Sequence, residues 1–507
     1  MSKTHKINYN YVLFVTLFYF FLLKDLLEHI FTFLTYTDEL LAAMAIPIFI
    51  VRTKERFNKR QRIGYGPFIA LFLLCSFLGS IIYRYQPFVK VVLPDMFLCA
   101  KFWLAIYVGR FAFKKMSFRH YSAKIFKHIK FVSWTYFILI ICNYIGLIPF
   151  EYAEIRYGLP AIKLFYFHPT VMVFNSVFLL AVLISIKSYV HGTNKYFFLI
   201  CLIACTSLRG KAFGAVILFV FIYYVVFVYR KKINLYYIVL LVPLIMLAAW
   251  NQVYYYFLST TTQDGSARYQ LFAQSFNVAN DHFPTGAGFG TFASHLSGKY
   301  YSPLYYKYGL SEIWGITEDR WDFVSDTFWP MIIGQAGWLG LLFFVIAIIN
   351  LFLQIQRLEK RSLALYSSGL VILFYILIDS TGSAAFVTPL SIPLAFWLGV
   401  VLSEGEKRQK LHDDRIASEE AEKKEKKKRR KRDKRAFVPE PVAKAPNPQV
   451  IETPNQNVVE SFVSNEPIKP KRVAQIKDIR FSKKVVKRKA EKFDVKNDFK
   501  LSSKQEK

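Results

Sequence analysis

At 507 residues the chain is long enough for about three soluble domains of roughly 150 residues each, but 54% of it is hydrophobic and only 20% charged, with 50 Phe and 32 Tyr. Its formal net charge of +31 is spread unevenly: residues 1–402 carry 35 basic and 17 acidic side chains, and the remainder 31 and 18. A soluble enzyme, a secreted disulfide scaffold and a disordered chain are excluded, and long apolar runs parted by basic clusters describe an all-α polytopic membrane protein.

A membrane-crossing helix needs about 20 apolar residues. Twelve such runs lie near 10–27, 31–51, 66–83, 91–109, 131–149, 168–186, 196–209, 212–229, 234–250, 327–353, 364–379 and 383–402. Lys3 and Lys6 precede the first, as in a signal peptide, but no small-residue cleavage site follows, so it reads as an uncleaved helix. Basic residues collect in alternate connections: Arg52, Lys54, Arg56, Lys59, Arg60 and Arg62; then Arg110, Lys114, Lys115, Arg119, Lys124, Lys127 and Lys130; then Lys187 and Lys195; then Arg230, Lys231 and Lys232. Positive residues favour the cytoplasmic side, which predicts both termini inside. Merging the first two runs would put the basic loop at 52–62 outside, and twelve spans avoid that. Cys75, Cys99, Cys142, Cys201 and Cys205 all fall within apolar runs without paired spacing, and read as small core residues.

Residues 251–325 form the one large extracytoplasmic loop. Its aromatic residues, among them Tyr254, Tyr255, Tyr256, Tyr300, Tyr301, Tyr305, Tyr306, Tyr308, Trp314 and Trp321, suit either the membrane interface or a platform for sugar rings. Within it, Pro284-Thr-Gly286-Ala-Gly288-Phe-Gly290-Thr-Phe292 sets three glycines at alternate positions. Glycine permits positive φ and close backbone approach, so the segment reads as a tight turn or as an anion cradle. No βαβ unit surrounds it, which excludes a dinucleotide fingerprint.

Two arginines carry the candidate chemistry. Arg209, in Thr206-Ser-Leu-Arg209-Gly-Lys211, lies with Lys211 in a short outer turn where the charge bias predicts no cations. Arg268, in Gly265-Ser-Ala-Arg268-Tyr-Gln, opens a predicted helix to about Asn280. A guanidinium fork matches phosphate oxygens in pairs; the alternatives are a snorkelling arginine and a solvated helix start. Carboxylates near this side include Asp38, Glu39, Asp95, Asp281, Asp326 and Asp379. Asp326 precedes an apolar run directly, so it suits either a partly desolvated general base or a helix cap. His282 and His295 show no metal-ligand spacing, and no metal site or cofactor is implied.

These features resemble the superfamily of O-antigen ligases and Wzy-type polysaccharide polymerases over roughly residues 30–402. The resemblance rests on their order: many spans, Ser207-Leu-Arg209-Gly at a span start, one large loop holding Arg268 and Pro-x-Gly-x-Gly-x-Gly-Thr-Phe at 284–292, then Asp326-Thr-Phe-Trp-Pro-Met-Ile-Ile-Gly-Gln-Ala-Gly337 entering a span. Thr37-Asp38-Glu39-Leu40 is also similar to the family. The resemblance implies a GT-C-like membrane glycosyltransferase acting on glycans carried by undecaprenyl diphosphate, in a bacterial cytoplasmic membrane. Arg209, Lys211, Arg268 and Gly286, Gly288 and Gly290 would bind the diphosphate substrate, and Asp326 would act as base with Arg209 and Arg268 as catalytic cations. Asp326 stands where ligases of the family carry a histidine, which favours a polymerase. A ligase, a flippase or transporter of lipid-linked sugars and a bare scaffold are the alternatives, and two dissimilar halves with sparse mid-membrane charge argue against a transporter.

Residues 403–507 read as a basic, largely disordered cytoplasmic tail: a charged helix over 404–435, a proline-containing linker and a second basic block at 469–492. Contact with anionic lipid is the expected role. Chain-length regulators and flippases are the candidate protein partners, and nucleic acid is not expected.

Overall fold

The computed structural model describes residues 9–56, 64–114, 116–233 and 267–436. The chain divides into two compact units, Met1–Lys428 and Arg429–Lys507. The architecture below is that of the first; of the second, only the last turns of one helix are described.

The described residues of the first unit are mostly helical. Among the described residues eight helical segments are long and apolar enough to cross a membrane, and Thr193–Cys205 and Leu363–Asp379 are shorter apolar helices. The predicted run at 234–250 lies outside the described residues, as do the loop residues 251–266 and the tail beyond 436.

Helix α1 spans Tyr9–Ile30. The second run is not one rod: a 3-10 turn (Thr32–Tyr36), α2 (Thr37–Ala43) and α3 (Ala45–Arg56) follow one another, with Asp38 and Glu39 in the first turn of α2 where exposed N–H groups favour acids. Helix α4 (Gly66–Tyr83) ends on a left-handed Arg84, and a π-helical turn (Phe88–Val92) leads into α5 (Leu93–Ala112). Helix α6 (Phe118–Tyr144) starts well before the predicted 131. Tyr121, Ser122, Ile125, Phe126 and Ile129 are buried at helical spacing along the basic stretch, so tertiary packing extends the helix through residues that hydropathy alone reads as loop.

A two-stranded hairpin, β1 (Tyr152–Arg156) and β2 (Leu159–Ile162), is the one strand pair among the described residues, and the sequence reading did not anticipate it. Tyr157 and Gly158 at its tip both have positive φ (53° and 76°), the conformation that a two-residue hairpin turn requires. Helix α7 (Pro169–Ile186) is buried along nearly its whole length, which makes it the centre of the bundle. Helices α8 (Thr193–Cys205) and α9 (Gly210–Tyr223, continued by a π-helical turn to Val228) follow. After the undescribed segment come α10 (Ala267–Asp281), α11 (His295–Lys299), α12 (Pro303–Lys307), α13 (Trp329–Gln356), α14 (Leu363–Asp379) and α15 (Ile392–Ala436).

Helix α15 alters two expectations. The last predicted span, 383–402, becomes helical only at Ile392, and the helix continues past Leu402 without a break to Ala436. The boundary drawn at 402 from composition is therefore a change of chemistry within one rod. Close helix crossing explains its apolar part: a Cβ on Gly109 would overlap the Phe396 carbonyl and one on Gly399 the Ile106 carbonyl, so α5 and α15 touch backbone to backbone.

The helices alternate in direction. One end of the bundle gathers the starts of α7, α9 and α13, the ends of α1 and α14, the hairpin and the described part of the large loop, tied by Phe167 N–H to Asp25 (3.1 Å) and Trp329 Nε1 to Ser380 Oγ (3.2 Å). The described basic connections lie at the opposite end, where Lys407 donates to the Met116 carbonyl at 3.1 Å and the Arg408 guanidinium lies 5.1 Å from the Tyr189 ring.

Candidate functional site

Arg209 caps the start of α9 with extended backbone, behind a left-handed Leu208. That kink turns the arginine away from the helix axis, and its Nη2 reaches Glu154 Oε1 on β1 at 2.9 Å and His168 Nε2 at 3.2 Å. Lys211, two residues on, points to α14: its Nζ lies 2.7 Å from Asp379 Oδ1 and donates to the Gly382 carbonyl at 3.1 Å. The Asp379 side chain is 1% exposed and is also held by the Ser383 hydroxyl.

The second arginine sits on a different pair of elements. Arg268, in the first turn of α10, donates through Nη2 to Asp326 Oδ2 at 2.8 Å, with both side chains partly exposed. Asp326 lies in the turn just before α13 and its carboxylate faces the guanidinium.

His168 links the two halves, and the sequence reading did not single it out. It caps α7, its Nδ1 accepting the Thr170 N–H at 3.2 Å. Burial is the largest influence lowering its pKa from 6.5, followed by the positive charges of Arg209 and Lys211; Glu154 and Asp326 oppose them. The interaction with Asp326 brings the Arg268–Asp326 pair into the same electrostatic field as Arg209 and Lys211. Both imidazole nitrogens face N–H donors, yet a neutral imidazole has one acceptor nitrogen and an imidazolium has none. The neutral ring can accept one of these N–H groups and the imidazolium neither, so the geometry favours the neutral ring. His168-Pro169-Thr170 before an apolar run is a helix-start signal, with proline at the first helical position. That signal locates the residue without revealing its neighbours.

The predicted glycine cradle has another use in the fold. Gly286, Gly288 and Gly290 all have positive φ and all are buried. Their N–H groups are taken by protein acceptors: Gly286 by the His282 carbonyl (2.9 Å), Gly288 by the Gln335 carbonyl (2.9 Å) and Gly290 by Asp95 Oδ2 (2.7 Å). Between them, Ala287 donates to the Gly334 carbonyl and Phe289 to Ser80 Oγ. Gly337 breaks the regular φ/ψ of α13 (φ 63°, ψ −169°) where this loop docks. The three glycines thus stitch this segment into α4, α5 and α13, and their N–H groups, expected to face substrate, have protein partners here.

His282 is similarly structural. Its Nδ1 donates to the Val278 carbonyl at 2.7 Å, which leaves Nε2 to accept the Tyr85 hydroxyl at 3.0 Å. Of the aromatic loop residues, Tyr305 is fully buried and bonded to Ala293 N–H and Ser297, whereas Tyr300, Tyr306 and Trp314 are exposed. Tyr254, Tyr255 and Tyr256 lie outside the described residues. Among the described residues, no group of three His, Cys, Asp or Glu side chains is gathered as metal ligands would be.

A second polar group lies within the bundle beside the end of α1. Lys101 Nζ is 2.7 Å from Asp38 Oδ2, with both side chains 1% exposed, and Lys24 adds a second contact to Asp38 at 3.2 Å. Glu28 pairs with Lys24 at 2.6 Å and Glu39 with Lys101 at 3.4 Å. This network fastens α1, α2 and α5 together close to the site.

Fold and site define a multi-helix membrane protein with three cations, Arg209, Lys211 and Arg268, gathered with a neutral histidine and several carboxylates at one end of the bundle. No protein-family model matches the chain, and no curated protein matches it significantly.

Proposed function

We propose that this protein is a membrane glycosyltransferase that polymerises oligosaccharide repeat units carried on undecaprenyl diphosphate into a surface polysaccharide, at the outer face of a bacterial cytoplasmic membrane. The observation that carries the reading is the gathering of Arg209, Lys211 and Arg268 with Asp326 and His168, from four separate elements, at the end opposite the basic connections. With those connections in the cytoplasm, the site faces outward and both termini face inward.

The chemistry follows from the ion pairs. A lipid diphosphate leaves readily only when its developing charge is neutralised, and partly buried guanidinium groups supply that neutralisation. Each cation holds a carboxylate in the free protein: Glu154 on Arg209, Asp379 on Lys211 and Asp326 on Arg268. Diphosphate binding at Arg268 releases Asp326, which then accepts the proton of the acceptor sugar hydroxyl. The hydroxyl oxygen bonds to the anomeric carbon of the growing chain as the bond from that carbon to the diphosphate oxygen breaks. The electron pair leaves with the diphosphate, and the proton passes from Asp326 to solvent. Substrate binding thereby creates the free base that the reaction needs.

The test is glycan chain length in cells lacking the protein and supplied with wild type, Arg268→Ala or Asp326→Ala. The expected result for either variant is a single repeat on the final anchor at normal protein level. Normal chain length in Arg268→Ala would overturn the reading. Long glycan retained on the lipid carrier would identify a ligase.

A further inference from the structure

We infer that His168 is a direct ligand of the diphosphate: as a neutral ring carrying its proton on Nε2, it donates beside Arg209 to one and the same phosphate oxygen. The inference rests on the proposed diphosphate chemistry and adds to its three cations an uncharged donor.

Counting hydrogens around the ring fixes its tautomer. Nδ1 faces the Thr170 N–H and Nε2 faces Arg209 Nη2, each at 3.2 Å, and a neutral imidazole accepts at one nitrogen only. Thr170 N–H lies in the first turn of α7, where no helix carbonyl stands behind it, and the capping nitrogen is its acceptor. Arg209 Nη2 has Glu154 Oε1 at 2.9 Å and does not depend on the ring. Nδ1 therefore accepts, and the proton sits on Nε2. Two N–H donors, His168 Nε2 and Arg209 Nη2, then stand 3.2 Å apart. Donors so close suit hydrogen bonds to a single oxygen lying beside both, and an anionic oxygen gains most from them. The ring is also held in place. Phe167, the residue before it, gives its N–H to Asp25 Oδ2 at 3.1 Å and stacks on His29 of α1, while α7 behind it is buried along nearly its whole length. His168 itself keeps a solvent-exposed edge that an anion can reach. A neutral donor strengthens its bond as charge develops on the departing diphosphate, and it adds no further positive charge beside Arg209 and Lys211.

The opposite tautomer, with Nε2 accepting from Arg209, would make His168 a structural partner of the arginine, and nitrogen NMR separates the two. Full-length protein carrying isotope-labelled histidine is placed in nanodiscs, and the His168 signals are identified by their loss in His168→Asn. The expected spectrum shows a protonated Nε2 and an unprotonated Nδ1, with the Nε2 signal moving when inorganic pyrophosphate is added. A proton on Nδ1, or signals that saturating pyrophosphate leaves in place, would overturn the inference. Pyrophosphate affinity gives a second readout. His168→Asn keeps the cap but is too short to reach the oxygen, and should weaken binding about tenfold, as for the loss of a hydrogen bond to a charged group. His168→Gln can present an amide N–H near the position of Nε2 and should recover most of that loss. Wild-type affinity in His168→Asn, or equal weakening in both variants, would assign the ring to structure alone. Arg209→Ala tells this failure from a deeper one: if it too binds pyrophosphate as wild type does, the diphosphate site itself falls, and the proposed function with it.

Discussion

Replacing Gly286 with alanine isolates the role of the glycine-rich segment. The residue has φ +76°, and a Cβ built there would lie 2.6 Å from both the carbonyl carbon and the oxygen of Gln335 and closer still to the Gly337 amide. Left-handed backbone costs an ordinary residue about 1–2 kcal/mol. Overlap with backbone, which cannot swing aside like a flexible side chain, adds about 1–3 kcal/mol. Gly309 supplies the control: its φ is +66°, but nothing lies within 4 Å of an added Cβ. Gly309→Ala should therefore show the backbone term alone, and Gly286→Ala should exceed it by about 1–3 kcal/mol. The assay is thermal unfolding of both variants in detergent or nanodiscs, alongside glycan chain length. Equal loss of stability would refute the docking argument. Wild-type stability with lost polymer in Gly286→Ala would restore the glycines as a substrate cradle.

Two further predictions concern charge. His168 has its pKa lowered below 6.5 in the folded protein by burial and by Arg209 and Lys211. The unfolded chain then takes up the proton first on acidification, so the stability this residue contributes is complete above pH 6.5 and declines as pH falls towards the lowered folded value. His168→Asn keeps the helix cap and removes the titration. Its melting temperature should fall less than that of wild type between pH 7 and 5; parallel curves would show that His168 does not titrate in this way. In the buried network, Lys101→Met strands Asp38 with a more distant lysine and should cost about 3–5 kcal/mol. Adding Asp38→Asn should recover part of that loss in the same melting assay, and a strictly additive double variant would argue against the pairing.

The class of the protein and most of its helices were legible in the chain. A segment of some twenty apolar residues has few choices other than to leave water as a helix, because in lipid each backbone group must find its partner within the segment. The runs at 66–83 and 168–186 accordingly match α4 and α7 within a residue. Packing set the exceptions. The amphipathic start of α6 became helix through the residues it buries, while the second run remains one candidate span over Thr32–Val51, jointed at Met44. The members of the site could also be picked out singly: Arg209 and Lys211 by a charge out of pattern, Arg268 and Asp326 by their places beside helix starts. Their partners could not. Arg268 and Asp326 meet across 58 residues and Arg209 and His168 across 41, and hydropathy says which segments leave water but not which faces meet. The same limit governs the alternating glycines, whose pattern suits a phosphate cradle as well as a docking loop. The choice depends on whether other parts of the chain fill the space beside them, and Gly337 at the kink in α13 fills it beside Gly286, Ser80 beside Gly288 and Val91 beside Gly290.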